Sequence, residues 1–196
     1  MNDINQKTPG RPRSRKSHQA MLQATLELLG EVGYKAMSIE AISARAGVGK
    51  STIYRRYKGK EDLVADAIES IREEVIIPDT GSFTQDIDEL IDRAAEVSLN
   101  PTGRQAAMTI VNSAGNSDRF AMIYRQKYLQ PRREAFASII ERAKIRKEIK
   151  ADVDADLVFD AMSGIMLYAL IFPPTTESWS EYVRRGLNLI LAGALS

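Results

Sequence analysis

The chain of 196 residues has no cysteine, a single histidine (His18) and a single tryptophan. Without cysteine there is no disulfide, no thiol redox switch and no thiolate metal site. One histidine leaves no histidine-cluster metal site and no Ser/His/Asp arrangement for nucleophilic catalysis. Long apolar runs are missing too. The longest, residues 164–172 (Gly-Ile-Met-Leu-Tyr-Ala-Leu-Ile-Phe), falls short of the ~20 residues that span a bilayer. The polar, basic beginning lacks the apolar core of a secretion signal, so a soluble, cytoplasmic protein with no membrane partner is expected. No β-type alternation and no internal repeat stand out, and the fold class reads as all-α. Acids such as Asp86, Asp88 and Glu89 read as a solvated helix face. No enzyme activity, cofactor or metal is expected.

What is present is a core and a divided charge. With 44% hydrophobic residues the chain can bury one or two domains. Its net charge of +1 hides an asymmetry: residues 1–60 carry 12 Lys and Arg against 4 acids, and the remainder 15 against 22. A basic segment joined to an acidic one is the footprint of a nucleic-acid module attached to an ordinary domain.

Punctuation divides the chain further. Residues 1–17 lack periodicity and contain Pro9, Gly10 and Pro12, so they read as a flexible basic arm. The run Gly10-Arg11-Pro12-Arg13 resembles the core of an AT-hook, which makes Arg11 and Arg13 candidates for the minor groove. Residues 18–77 read as the DNA-binding unit, with a first helix over about 19–32 and a fourth over about 60–76. Pro78-Asp-Thr-Gly81 marks a boundary, and 78–196 form a second helical domain. Its helices are expected at 83–99, 104–113, 118–147, 154–172 and 178–195. Pro131 should kink or split the long one.

Residues 38–60 carry the most information. Ser38 is a good N-cap, with Met37 and Ile42 placed as a hydrophobic staple. Ile39, Ile42 and Ala46 give a helical apolar stripe, and Gly47 ends the helix where a left-handed residue is wanted. Val48 and Ile53 plug the angle to a second short helix, which offers Lys50, Ser51, Thr52, Tyr54, Arg55 and Arg56 to solvent. That is a helix-turn-helix with a donor-rich second helix, suited to the major groove of double-stranded DNA. The stretch Ala44–Ser51 also meets the loose phosphate-loop pattern. Such a loop needs a preceding strand; here a helix precedes it, alanine holds the first glycine position, and the acidic partner Asp160 lies on a helix. Nucleotide hydrolysis is rejected.

The block Ala46-Gly-Val-Gly-Lys-Ser-Thr-Ile-Tyr-Arg-Arg-Tyr-Lys-Gly-Lys-Glu-Asp-Leu63 resembles the signature of the TetR/AcrR family of bacterial transcriptional regulators. The resemblance covers roughly the first third of the chain. It implies an N-terminal three-helix helix-turn-helix DNA-binding domain and a C-terminal helical domain for ligand binding and dimerisation. Position by position it implies base contacts from Lys50, Ser51 and Arg55, phosphate contacts from Thr52 and Tyr54, and a backbone contact from Lys60. Ser38, Arg45 and Arg56 complete the candidate set. Tyr57 replaces the family's usual apolar aromatic and is expected to pack inward. Gly49 departs from the family's capping residue.

The C-terminal readings lean on the same resemblance. Residues 154–172 carry two apolar stripes: Leu157, Ala161, Ile165, Tyr168 and Phe172, and Val158, Met162, Met166 and Ala169. A helix apolar on both sides must be buried on both, and the family's homodimer would cover the second. Interface candidates are Ala161, Ile165, Tyr168, Gly186, Leu187 and Ile190. Ligand candidates are Met108, Asn112, Met122, Tyr124, Tyr128, Phe159, Met162 and Met166, with Phe136 and Arg104 nearby; the same aromatics and methionines read equally as plain core. The expected function is a homodimeric repressor released from a palindromic operator by a small, mostly apolar effector. The alternative is a DNA-binding dimer, architectural or protein-regulated, without small-molecule sensing.

Overall fold

The computed structural model describes residues 12–71 and 76–192, the side chains of 12–14 excepted. The described residues form helices and no strand. α1 runs Pro12–Ala36, α2 Ile39–Ala46, α3 Lys50–Tyr54 and α4 Lys60–Glu69. The second half comprises α5 Phe83–Leu99, α6 Pro101–Asn116, α7 Asp118–Tyr124, α8 Gln130–Ile145, α9 Ala155–Ile171 and α10 Trp179–Leu191. No helix among the described residues is long and apolar enough to cross a membrane.

Most boundaries follow from local chemistry. Asn100 caps α6 by accepting from the Gly103 N–H at 2.8 Å, with Pro101 in the first turn, where its missing N–H costs nothing. Ser178 and Glu181 close a reciprocal capping box on α10. The arm expected over residues 1–17 is shorter than its composition implies: α1 begins at Pro12, whose fixed φ suits a first turn. Arg11 and the Arg13 side chain lie outside the described residues. α1 breaks at Gly33, which takes φ 74°.

The long helix expected over 118–147 is divided next to Pro131, as its proline suggested: α7 ends at Tyr124 and α8 opens at Gln130 with Pro131 in its first turn. Residues Arg125–Leu129 form a π-helical turn between α7 and α8, in which the Gln130 N–H bonds the Arg125 carbonyl. Proline lacks the N–H for the i−4 bond and its ring crowds that carbonyl. Widening the preceding turn accommodates both as the chain passes from α7 into α8.

The apolar residues form two cores. One joins α5, α8, α9 and α10 through residues such as Ile91, Phe136, Ile140, Val183 and Leu187. The other joins α1–α4 through Met21, Leu28, Ile42, Ile53 and Leu63, and also takes Ala106 from α6 and Phe120 and Tyr124 from α7. Each fully buried Ile or Leu contributes about 1.5–3 kcal/mol. The core beneath the helix-turn-helix thus reaches past the expected boundary at 77/78 and recruits two later helices.

Asp86 corrects the solvated-face reading. It is fully buried, accepting from the Thr80 N–H at 2.6 Å and the Thr80 hydroxyl at 2.8 Å, with Arg142 at 3.5 Å. Burial pushes its carboxyl up, but those donors outweigh it and hold the group below the usual carboxylate value. Asp88 is likewise engaged, by Arg184 at 2.8 Å.

Candidate nucleic-acid interface and cavity

The elbow between α2 and α3 is built from short-range hydrogen bonds. The Ser38 Oγ accepts from the Ala41 N–H at 3.2 Å, and Met37 and Ile42 are both buried around the cap. Gly47 takes φ 63°, ψ 33°, the left-handed conformation that costs a glycine nothing. The Val48 N–H returns to the Ser43 carbonyl at 3.1 Å and the Gly47 N–H to Ala44 at 3.3 Å, a Schellman closure. The Ser43 hydroxyl adds a bond to the Val48 carbonyl at 2.6 Å, a lock that no sequence signal pointed to. α3 starts at Gly49 without a side-chain cap. Ile53 is fully buried beneath it, and Tyr57 packs inward with its hydroxyl 2.8 Å from His18 Nε2.

The outer face of α3 and the turn after it hold Lys50, Ser51, Tyr54, Arg55 and Arg56 exposed, with Thr52 half-buried. Acids from neighbouring helices reach this cationic face. Lys50 is paired with Glu40 at 2.8 Å, which holds the lysine pKa above and the glutamate pKa below their ordinary values. Arg45 is held by Glu31 at 2.8 Å and Glu27 at 3.3 Å. Lys60 points inward: its ammonium donates to the Tyr34 and Met37 carbonyls, each at 3.0 Å, and sits 4.5 Å from the centre of the Tyr34 ring. It ties the end of α1 to the start of α4, so its role in the structure is internal. Ser38 is similarly engaged as a cap.

A cavity of about 710 Å³ opens where the two cores meet. Ile110, Ala114 and Tyr124 face it from the side of the helix-turn-helix core, and Leu90, Phe136, Phe159 and Met162 from the other. Met122 and Met166 also line it, as expected; Met108, Asn112 and Tyr128 do not. On α6 the lining residues are Ala107, Ile110, Val111 and Ala114, one helical face. Met108 and Asn112 sit about 110° and about 150° round from its centre. The Tyr128 hydroxyl goes instead to Asp66 of α4 at 2.5 Å. Arg104 donates to the Leu170 carbonyl at 2.6 Å.

The interface candidates also separate. Leu187 is 1% exposed within the core, so it offers nothing to a partner. Gly186 faces Ile165 of the same chain: a methyl group there would come within 3.1 Å of the Ile165 Cδ1. Its small size serves α9–α10 packing. Ala161 is half-buried. Tyr168 and Ile190 remain at the surface, beside Leu157, Phe172 and Leu189, which the candidate set omitted.

A helix-turn-helix carrying a cationic second helix, set on a helical domain that encloses an apolar cavity, defines a two-domain transcriptional regulator. Residues 21–67 match the model described as "Bacterial regulatory proteins, tetR family", and residues 77–190 the one described as "Tetracyclin repressor-like, C-terminal domain". The chain belongs to the TetR family of DNA-binding regulators, which are not enzymes. It is 29% identical to the HTH-type transcriptional regulator YdeS of Bacillus subtilis (strain 168), over 89% of this chain and 88% of that protein. It is 31% identical to the HTH-type transcriptional regulator Mb1581 of Mycobacterium bovis, over 80% and 78%. The flavonoid-responsive regulator FrrA has the same fold, with a TM-score of 0.70, 19% identity, and coverage of 92% of this chain and 98% of that one.

Proposed function

We propose that the chain acts as a homodimeric repressor, released from a palindromic operator when a small, mostly apolar molecule fills the cavity between its two cores. The observation that carries this reading is that the cavity straddles them. Tyr124 lines it and belongs to the same buried cluster as Ile53, which seats α3. An aromatic run, Tyr34 to Phe120 at 5.7 Å and Phe120 to Tyr124 at 5.6 Å, continues from α1 to the cavity wall. Whatever changes the spacing of the cores therefore changes the attitude of α3. The flavonoid response in FrrA's name supports a small-molecule effector in this fold.

On DNA, Lys50, Ser51 and Arg55 meet base edges, while Thr52, Tyr54 and Arg56 grip phosphates. Lys50 must exchange Glu40 for its DNA partner. The exposed apolar strip of α9 and α10 meets the same strip of a second copy, which sets two α3 helices on successive major grooves. Selection of bound sites from random DNA tests the assignment. The expected product is a palindrome with half-sites one helical turn, roughly 34–36 Å, or a multiple apart. Arg55→Ala should cost about 1–3 kcal/mol and relax preference at one position of each half-site. Recovery of no preferred sequence would refute the reading. A dimer that holds its selected site against every cavity-sized apolar compound would leave DNA binding but remove the effector.

A further inference from the structure

The cavity wall carries two guanidinium groups, Arg125 and Arg132, and no carboxylate; its other polar side chains are Tyr124 and Ser163. A guanidinium beside apolar space is poorly solvated unless an anion meets it. For Arg132 that anion is Glu69, the last residue of α4, in a pair whose side chains are only 20% and 19% exposed. The Tyr124 hydroxyl, on the same wall, donates to Glu69 at 3.2 Å. The helix that follows the DNA reader is therefore fastened to the cavity wall by its own carboxylate, held on a cation that faces the ligand space. Arg125, seven residues earlier, is exposed and lines the cavity's outer edge without an ion pair among the described residues, so Arg132 is the cation the buried wall holds.

We propose that the effector is an amphipathic carboxylate whose head takes the Arg132 guanidinium from Glu69, so that filling the cavity unfastens the end of α4. This rests on the ligand-responsive reading above and names the chemistry of that ligand. The apolar lining accommodates a hydrocarbon or aryl body, and the volume lies within the range of small-molecule sites, about 300–1,000 Å³. Glu69 and the ligand head are chemically alike and compete for one guanidinium. Their linkage is reciprocal: the ligand weakens the hold on α4, and removing Glu69 strengthens the ligand.

The test uses the full-length protein, calorimetric titration with decanoate and with 1-decanol, and a neutral fluorescent filler, N-phenyl-1-naphthylamine. Decanoate should bind the unmodified protein about tenfold or more tightly than decanol, the margin of a charge-assisted contact in a partly buried site. Glu69→Gln should tighten decanoate several-fold and leave decanol unchanged. Arg132→Gln should erase the preference for the acid. Equal binding of acid and alcohol, or no gain in Glu69→Gln, overturns the proposal. The first comparison needs no variant, so a folding defect cannot obscure it. If the neutral filler and decanol bind while the acid has no advantage, only the carboxylate and its exchange with Glu69 are lost. If none of the three enters, the ligand-responsive reading falls with them.

Discussion

Gly164 gives the sharpest test of the second-copy interface. It stands in the middle of α9, exposed, with no atom within 4 Å of the place a side chain would begin. Within one subunit glycine there is a loss: leucine would favour the helix by about 0.5–1 kcal/mol and meet nothing. A second backbone packed close against this face would give the glycine a purpose. At helical spacing Gly164 lies between Leu157 and Tyr168, which are 66% and 55% exposed, on the strip assigned to the partner. Gly164→Leu should therefore stabilise the separated subunit while obstructing the pair. Overpacking costs about 1–3 kcal/mol per site, and a two-fold interface contains the site twice. The dimer should weaken by about 2–6 kcal/mol, roughly 30-fold to 10⁴-fold in dissociation constant. Sedimentation equilibrium over a dilution series reads the association. Urea unfolding below the dissociation range reads the subunit. An unchanged dimer would refute the placement of the interface, and a destabilised subunit would refute the claim that the site is open.

The buried carboxylate predicts a pH response. Asp86 is held below its ordinary value near 3.8, so its contribution is complete above that value and disappears as pH falls through the folded-state value. Urea midpoints should drop as pH falls below about 4, and Asp86→Asn should lower the midpoint at pH 5 and flatten the drop; an equally steep slope in the variant would assign it to other acids. At the α5–α6 junction, a methyl group on Gly103 would lie 1.7 Å from the Val97 carbonyl oxygen, a backbone atom that cannot swing aside. Gly103→Ala should cost about 3 kcal/mol by thermal unfolding, while Gly115→Ala, with open space around it, should be neutral or stabilising by up to about 1 kcal/mol. Equal effects would mean that α5 and α6 separate easily.

The elements whose ends are set by neighbouring residues were legible. Residues 83–99 were expected as a helix and α5 has those bounds, because Asn100 and Pro101 punctuate its end within the sequence itself. The elbow was legible for the same reason: Ser38, Gly47, Val48 and Ile53 act within one 16-residue stretch, 38–53. What escaped depends on distant partners. Lys60 looks like a free cation until Tyr34 and Met37, 26 and 23 residues away, present their carbonyls. Asp86 looks solvated until α8 brings Arg142 over it, 56 residues on. Gly186 looks available to a partner until Ile165 of α9 packs against it, and Leu187 until its burial in the core is seen. Counting charge gave a basic first segment without revealing that Glu27, Glu31 and Glu40 already engage part of it.

The arrangement of α4 bears on which seam can open. One side of it, Leu63, Val64, Ala67 and Ile68, is fully buried; Leu63, Val64 and Ile68 belong to the core beneath the reader. Its other side presents Asp62, Asp66 and Glu69, met by Lys127, Tyr128, Tyr124 and Arg132. Separating the apolar side would expose several fully buried side chains at about 1.5–3 kcal/mol each. The polar side consists of contacts that water or another anion can replace, and Lys127 is 41% exposed, so its pairs are screened and contribute little. On the proposed function α4 would move with the reader, the polar seam being the cheaper one to break. The chain crosses from one core to the other through the π-helical turn of Arg125–Leu129, between Tyr124 in the first and Phe136 in the second. Arg125, Leu129 and Arg132 line the cavity at that crossing. On the proposed function, a molecule lodged there would press on both cores at the π-helical turn that joins them, and its differential affinity for the two spacings would set how far the reader shifts.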